Sequence, residues 1–188
     1  MNTADNKSET IDILDNQGRV TSQSKTRDLI HKDGNWHQSI HLYILDKNNR
    51  VLFQRRSKDK MLFASMYACP VGGHIKSGAA PLSTLVKESR EEINLQIKTD
   101  DLTYLGIDRV GYHNPKVDLS ENEFVHIYIL NLDEEINLNV ENAEVEGLFW
   151  FDFDDFKTKV RSKNEEFMPC WIIYEKIIDY VEKLKKFI

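Results

Sequence analysis

Three carboxylates, Glu88, Glu91 and Glu92, stand at positions i, i+3 and i+4 of one stretch of this chain. On a helix those positions share a face, where like charges cost roughly 0.2–0.5 kcal/mol per pair. A divalent cation between them removes that cost. Hard cations such as Mg²⁺ take oxygen ligands, commonly one or two carboxylates together with substrate phosphates. Ahead of the acidic run lies Gly73-His74-Ile75-Lys76-Ser77-Gly78, and glycine lets backbone come close to a metal or a phosphate. The other reading is a solvated acidic face, with Lys87 paired to Glu91 at i+4. The glycine loop at this spacing favours the cation.

These groups need elements to hold them. Pro81 suits a first helical turn, and Leu82, Leu85, Ser89 and Ile93 form an apolar stripe at helical spacing. A helix is therefore expected over Pro81–Ile93, with the glutamates on its other face. Thr10–Leu14 reads as a short strand closed by the turn Asp15-Asn16-Gln17-Gly18. Gln38–Leu45 alternates at period two and Val51–Arg55 returns after Asp46-Lys47-Asn48-Asn49, which predicts a hairpin. Leu102–Val110, Phe124–Leu132 and Leu148–Phe151 are further strands, and Phe167–Phe187 is an amphipathic helix. Met61–Ala68 is apolar but ambiguous. Strands with interspersed helices predict an α/β fold, a mixed sheet covered by helices on both faces. The organisation expected is a disordered tail over residues 1–9 and one domain over residues 10–188.

Composition agrees. The chain has 188 residues, 40% hydrophobic and 30% charged, within the range of globular domains. A net charge of −6 and a pI near 5.5 argue against nucleic-acid backbone as partner. Cys69 and Cys170 form no CxxC pair, so neither a metal nor a disulfide framework follows. The N-terminus has no apolar signal core and no apolar run is long enough to span a bilayer. A cytoplasmic protein with no membrane partner is expected. Oligomeric state is left open, with a homodimer among the options.

The acidic stretch resembles the Nudix hydrolase signature: a glycine, five residues, a glutamate, then Arg-Glu-aliphatic-x-Glu-Glu-x-Gly-aliphatic. Here it reads Gly73 … Ala79 … Lys87-Glu88-Ser89-Arg90-Glu91-Glu92-Ile93-Asn94-Leu95. The starting glycine, the three helix glutamates and the last aliphatic are kept. Ala79 replaces a glutamate, Lys87 an arginine, Ser89 an aliphatic and Asn94 the closing glycine. The resemblance implies the Nudix α/β/α sandwich. It also implies Mg²⁺ or Mn²⁺ held by Glu88, Glu91 and Glu92 with the Gly73 carbonyl.

Features outside the box resemble the isopentenyl-diphosphate isomerase-like branch of that superfamily, over about Thr10–Trp171. They include His31 to His37, Arg55-Arg56, Lys60, Gly73-His74, Glu121-Asn122-Glu123 and Phe167 to Trp171. The likeness implies a possible second metal site at His31, His37, His74, Glu121 and Glu123, and diphosphate contacts from Arg56 and Lys60. His31 and His37 also have a structural reading, as hydrogen-bonded supports of the N-terminal loop. His41 is expected to be structural, and Cys170 and Trp171 to be core. The isomerases' proton-transferring cysteine falls at Gly72, whereas the Nudix glutamates are retained. The expected function is metal-dependent cleavage of a diphosphate bond in a nucleoside diphosphate-X type small molecule, with Glu91 and Glu123 catalytic. The alternatives are isopentenyl-diphosphate isomerisation and a catalytically weak diphosphate-binding module.

Overall fold

The computed structural model describes residues 9–133, 138, 140 and 145–186. The chain begins with an antiparallel hairpin, β1 (Thr10–Leu14) and β2 (Val20–Thr26), then a short helix α1 (Arg27–Asp33). The hairpin turn is held by Asp15, whose carboxylate accepts from the Gln17 and Arg19 amides. Strands β3 (His37–Asp46), β4 (Val51–Arg56), β5 (Tyr67–Ala68) and β6 (Val71–His74) follow, then helix α2 (Pro81–Ile93). Strands β7 (Leu102–Asn114), β8 (Leu119–Leu132) and β9 (Val145–Phe151) and helices α3 (Phe153–Arg161) and α4 (Trp171–Leu184) complete the chain.

The main sheet is mixed, in the order β5-β4-β3-β8-β7, with β6 on β3 and β9 on β4. Strand β8 runs parallel to β3; the other pairings are antiparallel. Its residues Val125, Ile127 and Ile129 face one core, shared with α3 and α4 through Phe156, Ile173 and Ile177. Tyr128 and Leu130 face a second core, shared with α2 through Leu85 and Ile93. A strand apolar on both faces needs cover on both, and the result is the three-layer α/β/α arrangement expected.

One irregularity makes room for a site. Strands β3 and β4 pair at Leu45–Val51 and then part. β6 takes up β3 from Ser39 to Leu42, while β5 and β9 take up β4. The sheet opens between them.

The helix over Pro81–Ile93 has the expected bounds, and Asn94 caps it in the left-handed conformation at φ 53°. Its stripe differs in one place: Leu82 is 36% exposed and Thr84 is buried instead. Ser89 is fully buried, its hydroxyl donating to the Leu85 carbonyl. The last helix starts at Trp171, because Pro169 has no amide to donate and the Cys170 amide turns back to the Met168 carbonyl. Strand β8 begins at Leu119, so Glu121-Asn122-Glu123 is part of a strand and not its approach. Strand β2 and helices α1 and α3 have no counterpart in the sequence reading; α1 and β2 are polar and carry little periodicity. The tail expected over residues 1–9 lies outside the described residues except for Glu9, whose carboxylate pairs with Lys76 at 3.1 Å. Among the described residues no helix is long and apolar enough to cross a membrane.

Candidate metal and phosphate site

The opening in the sheet is a cavity of about 610 Å³. Register explains what gathers at it: His74, Glu121 and Glu123 line the cavity, and His31 and His37 contact them without lining it. His37 is the β3 partner of Glu123 on β8, and Ser39 is the β3 partner of His74 on β6. Two strand pairings therefore deliver His37, His74 and Glu123 to one point. Glu121 follows from period two along β8, and the last turn of α1 supplies His31.

The three imidazoles converge with ring centroids 5.0–5.3 Å apart. His31 Nε2 lies 3.1 Å from His74 Nε2 and 3.5 Å from Glu121 Oε2. Glu123 Oε1 lies 3.6 Å from His74 Nε2 and 3.7 Å from His37 Nε2. One ligand atom from each of His31, His37, His74 and Glu121 fits within 4.8 Å. His37 Nδ1 is 3.0 Å from the Asn35 carbonyl oxygen. A carbonyl only accepts, so Nδ1 carries the proton and Nε2 offers a lone pair. That Nε2 is buried and has no hydrogen-bond partner among the described residues. An imidazole fixed through one nitrogen with the other aimed into a carboxylate cluster has the arrangement of a metal ligand. The donor set fits a divalent cation accepting nitrogen and oxygen.

Electrostatics favour the same state. Burial lowers the His31 pKa to about 4, against Glu121, with His74 and His37 adding to the fall. Burial also lowers that of His37. Both rings are neutral at neutral pH, as ligation requires. Burial pushes Glu123 up to about 8, the Glu121 charge adds to it, and the Ser39 hydroxyl works the other way.

The α2 glutamates line the same cavity. Glu92 Oε2 accepts from the Gly72 amide at 3.1 Å. Glu88 packs against Gly73 so closely that a Cβ there would stand 3.1 Å from its Cγ. A side chain there would have to push the Glu88 carboxylate aside, so glycine suits the place where the helix meets the loop backbone. Lys87 donates to Glu88 Oε1 at 2.9 Å and to Glu91 Oε2 at 2.7 Å. Burial works against the Lys87 charge, but those bonds outweigh it and hold its pKa above the ordinary lysine value. Glu88 and Glu91 are therefore bound to a cationic side chain, whereas among the described residues the histidine cluster is the group gathered at ligand spacing. Ala79 is exposed and does not line the cavity.

Arg56 and Lys60 also line the cavity. Arg56 donates through Nη2 to the Leu62 carbonyl at 3.1 Å, and its Nε is buried without a partner among the described residues. His41 is buried at the cavity wall, its Nδ1 3.4 Å from the Tyr43 hydroxyl. Cys170 is buried in the core and also reaches the cavity. Sequence reasoning missed Arg27, Ser39, Gln54, Phe63 and Tyr112. Of these only Tyr112 carried a signal, its period-two spacing from Val110.

The NUDIX domain family profile matches residues 35–170, so the chain belongs to the Nudix family. It is 30% identical to an uncharacterised Nudix hydrolase of Clostridium acetobutylicum, over 78% of this chain and 71% of that protein. It is 26% identical to an isopentenyl-diphosphate Delta-isomerase of Serratia proteamaculans, over 87% and 85% of the two chains. A crystal structure of a Deinococcus radiodurans protein superposes with a TM-score of 0.67 at 17% identity, covering 89% of this chain and 98% of that one. The fold is the Nudix fold, and the protein is an enzyme of the Nudix pyrophosphohydrolase class.

Proposed function

We propose that this enzyme hydrolyses the diphosphate bridge of a nucleoside diphosphate linked to a group X, using Mg²⁺ or Mn²⁺. The observation that carries this reading is the meeting of Glu88, Glu91, Glu92, Glu121 and Glu123 with Arg56 and Lys60 in one cavity. Five carboxylates beside fixed cations suit a substrate that brings its own negative charge and a cation to bridge it. A bound divalent cation would neutralise phosphate charge and acidify water at the site. Glu88, Glu91 and Glu92, with the Gly73 carbonyl, would hold one such ion. His31, His37, His74, Glu121 and Glu123 supply a second set.

This chain's residues then do the rest. Arg56 and Lys60 bind non-reacting phosphate oxygens, Arg56 through the Nε that has no partner among the described residues. Glu123, once it has given up its own proton, and Glu91 would orient the attacking water and accept its proton. The new phosphorus–oxygen bond forms as the bridging phosphorus–oxygen bond breaks, giving two phosphorylated products. Holding the carboxylates on α2 and β8 before substrate arrives keeps reorganisation small.

Two observations favour the isomerase reading, the histidine cluster and the likeness to isopentenyl-diphosphate isomerases. Against it stand Gly72 at the cysteine position and the retained box glutamates. Incubation of isopentenyl diphosphate with enzyme and Mg²⁺ is expected to give no dimethylallyl product above background. The hydrolase reading is tested by screening nucleoside diphosphate conjugates with Mg²⁺ and with Mn²⁺, comparing wild type with Glu91→Gln and Glu92→Gln. Both variants should fold and lose cation-dependent turnover. Full activity in excess chelator, or in both variants, rejects it.

A further inference from the structure

At the rim of the cavity two aromatic rings meet. Phe63 and Tyr112 have centroids 4.5 Å apart and planes tilted by 52°. They come from distant parts of the chain: Phe63 from the loop between β4 and β5, Tyr112 from β7. Both line the cavity and both are half-buried.

Each ring is tied to one end of the phosphate site. Phe63 follows Leu62, whose carbonyl Arg56 grips through Nη2. Tyr112 is the cross-strand partner of Glu121, and Val110 on the same face is the partner of Glu123. Directly opposed side chains on an antiparallel pair lie about 4.5–5.5 Å apart at Cβ. A diphosphate lying between Arg56 and the two β8 carboxylates therefore directs its organic substituent onto the two rings.

The loop holds Phe63 at a cost. Its φ is +55°, and a bulky residue in the left-handed region is a genuine outlier. Such conformations persist when their surroundings over-determine them, and they gather at ligand clamps. Here the Met66 amide donates to the Phe63 carbonyl, Arg55 Nε to the Ser65 carbonyl and Arg56 Nη2 to the Leu62 carbonyl. Three bonds fix a ring in a conformation that a loop with no need of that ring would relax.

From this geometry we infer that Phe63 and Tyr112 form the platform on which the nucleobase of the substrate stacks. The inference rests on the diphosphate-hydrolase reading and deepens it, by naming the residues that read the nucleoside. A ring pair suits a base because every base has a π-face, and stacking needs no exact hydrogen-bond match. Gln54, 94% buried by its 6% exposure, lines the cavity with its Oε1 unpartnered among the described residues and can accept a hydrogen bond from the bound nucleoside.

The test reads binding, so that it does not depend on turnover. With Mn²⁺ present, the dissociation constants of α,β-methylene-ADP and of methylenediphosphonate are measured by calorimetry. The two share a non-hydrolysable bridge and differ in the nucleoside. Wild type should bind the nucleotide analogue more tightly. Phe63→Ala and Tyr112→Ala should each weaken it by roughly 10- to 100-fold, the worth of one base–aromatic stack. Neither should change methylenediphosphonate affinity by more than about twofold, and Phe63→Trp should restore nucleotide binding. Equal weakening of both probes would mark the rings as structural and overturn the inference. So would a wild type that binds both equally, or binds an alkyl diphosphonate without a base more tightly than the nucleotide. Absence of turnover on every diphosphate, with the binding pattern intact, would overturn only the hydrolase reading.

Discussion

His37 and Glu123 face each other across the parallel pair β3–β8, with His37 Nε2 3.7 Å from Glu123 Oε1. The imidazole is neutral and its inward nitrogen bears a lone pair, while burial and Glu121 favour the protonated carboxyl. The pair is therefore uncharged at neutral pH without a cation. Two buried groups that avoid charge in the apo state, yet present nitrogen and oxygen donors, are poised to exchange a proton for a metal.

Proton release should accompany cation binding. Ligation by Glu123, as proposed, would need its carboxylate, which retains its proton up to about pH 8. Titrating the apo-protein with Mn²⁺ at pH 7, in two buffers of different ionisation enthalpy, should show release approaching one proton per ion. Glu123→Gln should remove most of that release. Identical heats in both buffers for the wild type would contradict the assignment.

The pH dependence of apo-protein stability has two limbs of opposite sign. His31 has a folded pKa near 4 against 6.5 for a free imidazole. Between those values the unfolded chain binds the extra proton, so stability falls as pH drops from about 6.5 to 4. Glu123 is the reverse case, about 8 folded against 4.5. There the folded chain holds the extra proton, so stability falls as pH rises from about 4.5 to 8. Thermal midpoints should trace a broad maximum. His31→Gln should flatten the acid limb and Glu123→Gln the alkaline one; a variant that leaves its own limb unchanged refutes that assignment.

The legible parts of this chain were those where local pattern and tertiary demand agree. Pro81, Asn94 and the spacing of Leu85 and Ile93 set α2, and the same residues fix where Glu88, Glu91 and Glu92 point. Strand β3 was readable because Ile40, Leu42 and Ile44 all enter one core. Leu82 misled because its period suited the stripe while its place in the first turn left it in solvent. The aromatic platform was not legible: Phe63 sits in an aperiodic loop, and only that loop's fold sets it against Tyr112. The convergence of the histidines became visible only through the strand registers His37–Glu123 and Ser39–His74.

Lys87 should compete with the cation. It holds Glu88 and Glu91 together, relieving their repulsion. Lys87→Met would free both carboxylates. Half-maximal Mn²⁺ for hydrolysis should then fall severalfold. The loss of fold stability should stay within about 1 kcal/mol, the usual worth of a partly exposed pair. An unchanged cation requirement would show that Glu88 and Glu91 do not bind the ion that limits turnover.

Gly72 and Cys69 should be energetically coupled. A Cβ at position 72 would stand 3.0 Å from the Cys69 sulfur, with His41 Cδ2 and the Ile40 carbonyl oxygen each at 3.6 Å. Cys69 is buried in the core beside α4 and also lines the cavity. Burial, with Cys170 and Glu92 adding to it, raises its pKa well above the ordinary thiol value, so it stays protonated. Gly72→Ala should therefore cost about 1–3 kcal/mol, the usual range for forcing a methyl into a filled core. Cys69→Ala alone removes the sulfur and leaves a small void. Together the two changes let the new methyl occupy that void, so the double variant should be more stable than the sum of the single losses. A coupling of about 0.5–3 kcal/mol, measured by denaturant unfolding of all four proteins, is the expected result. Additive losses would mean that the β5–β6 turn shifts to accept the methyl. The sulfur would then not be what demands glycine at this position.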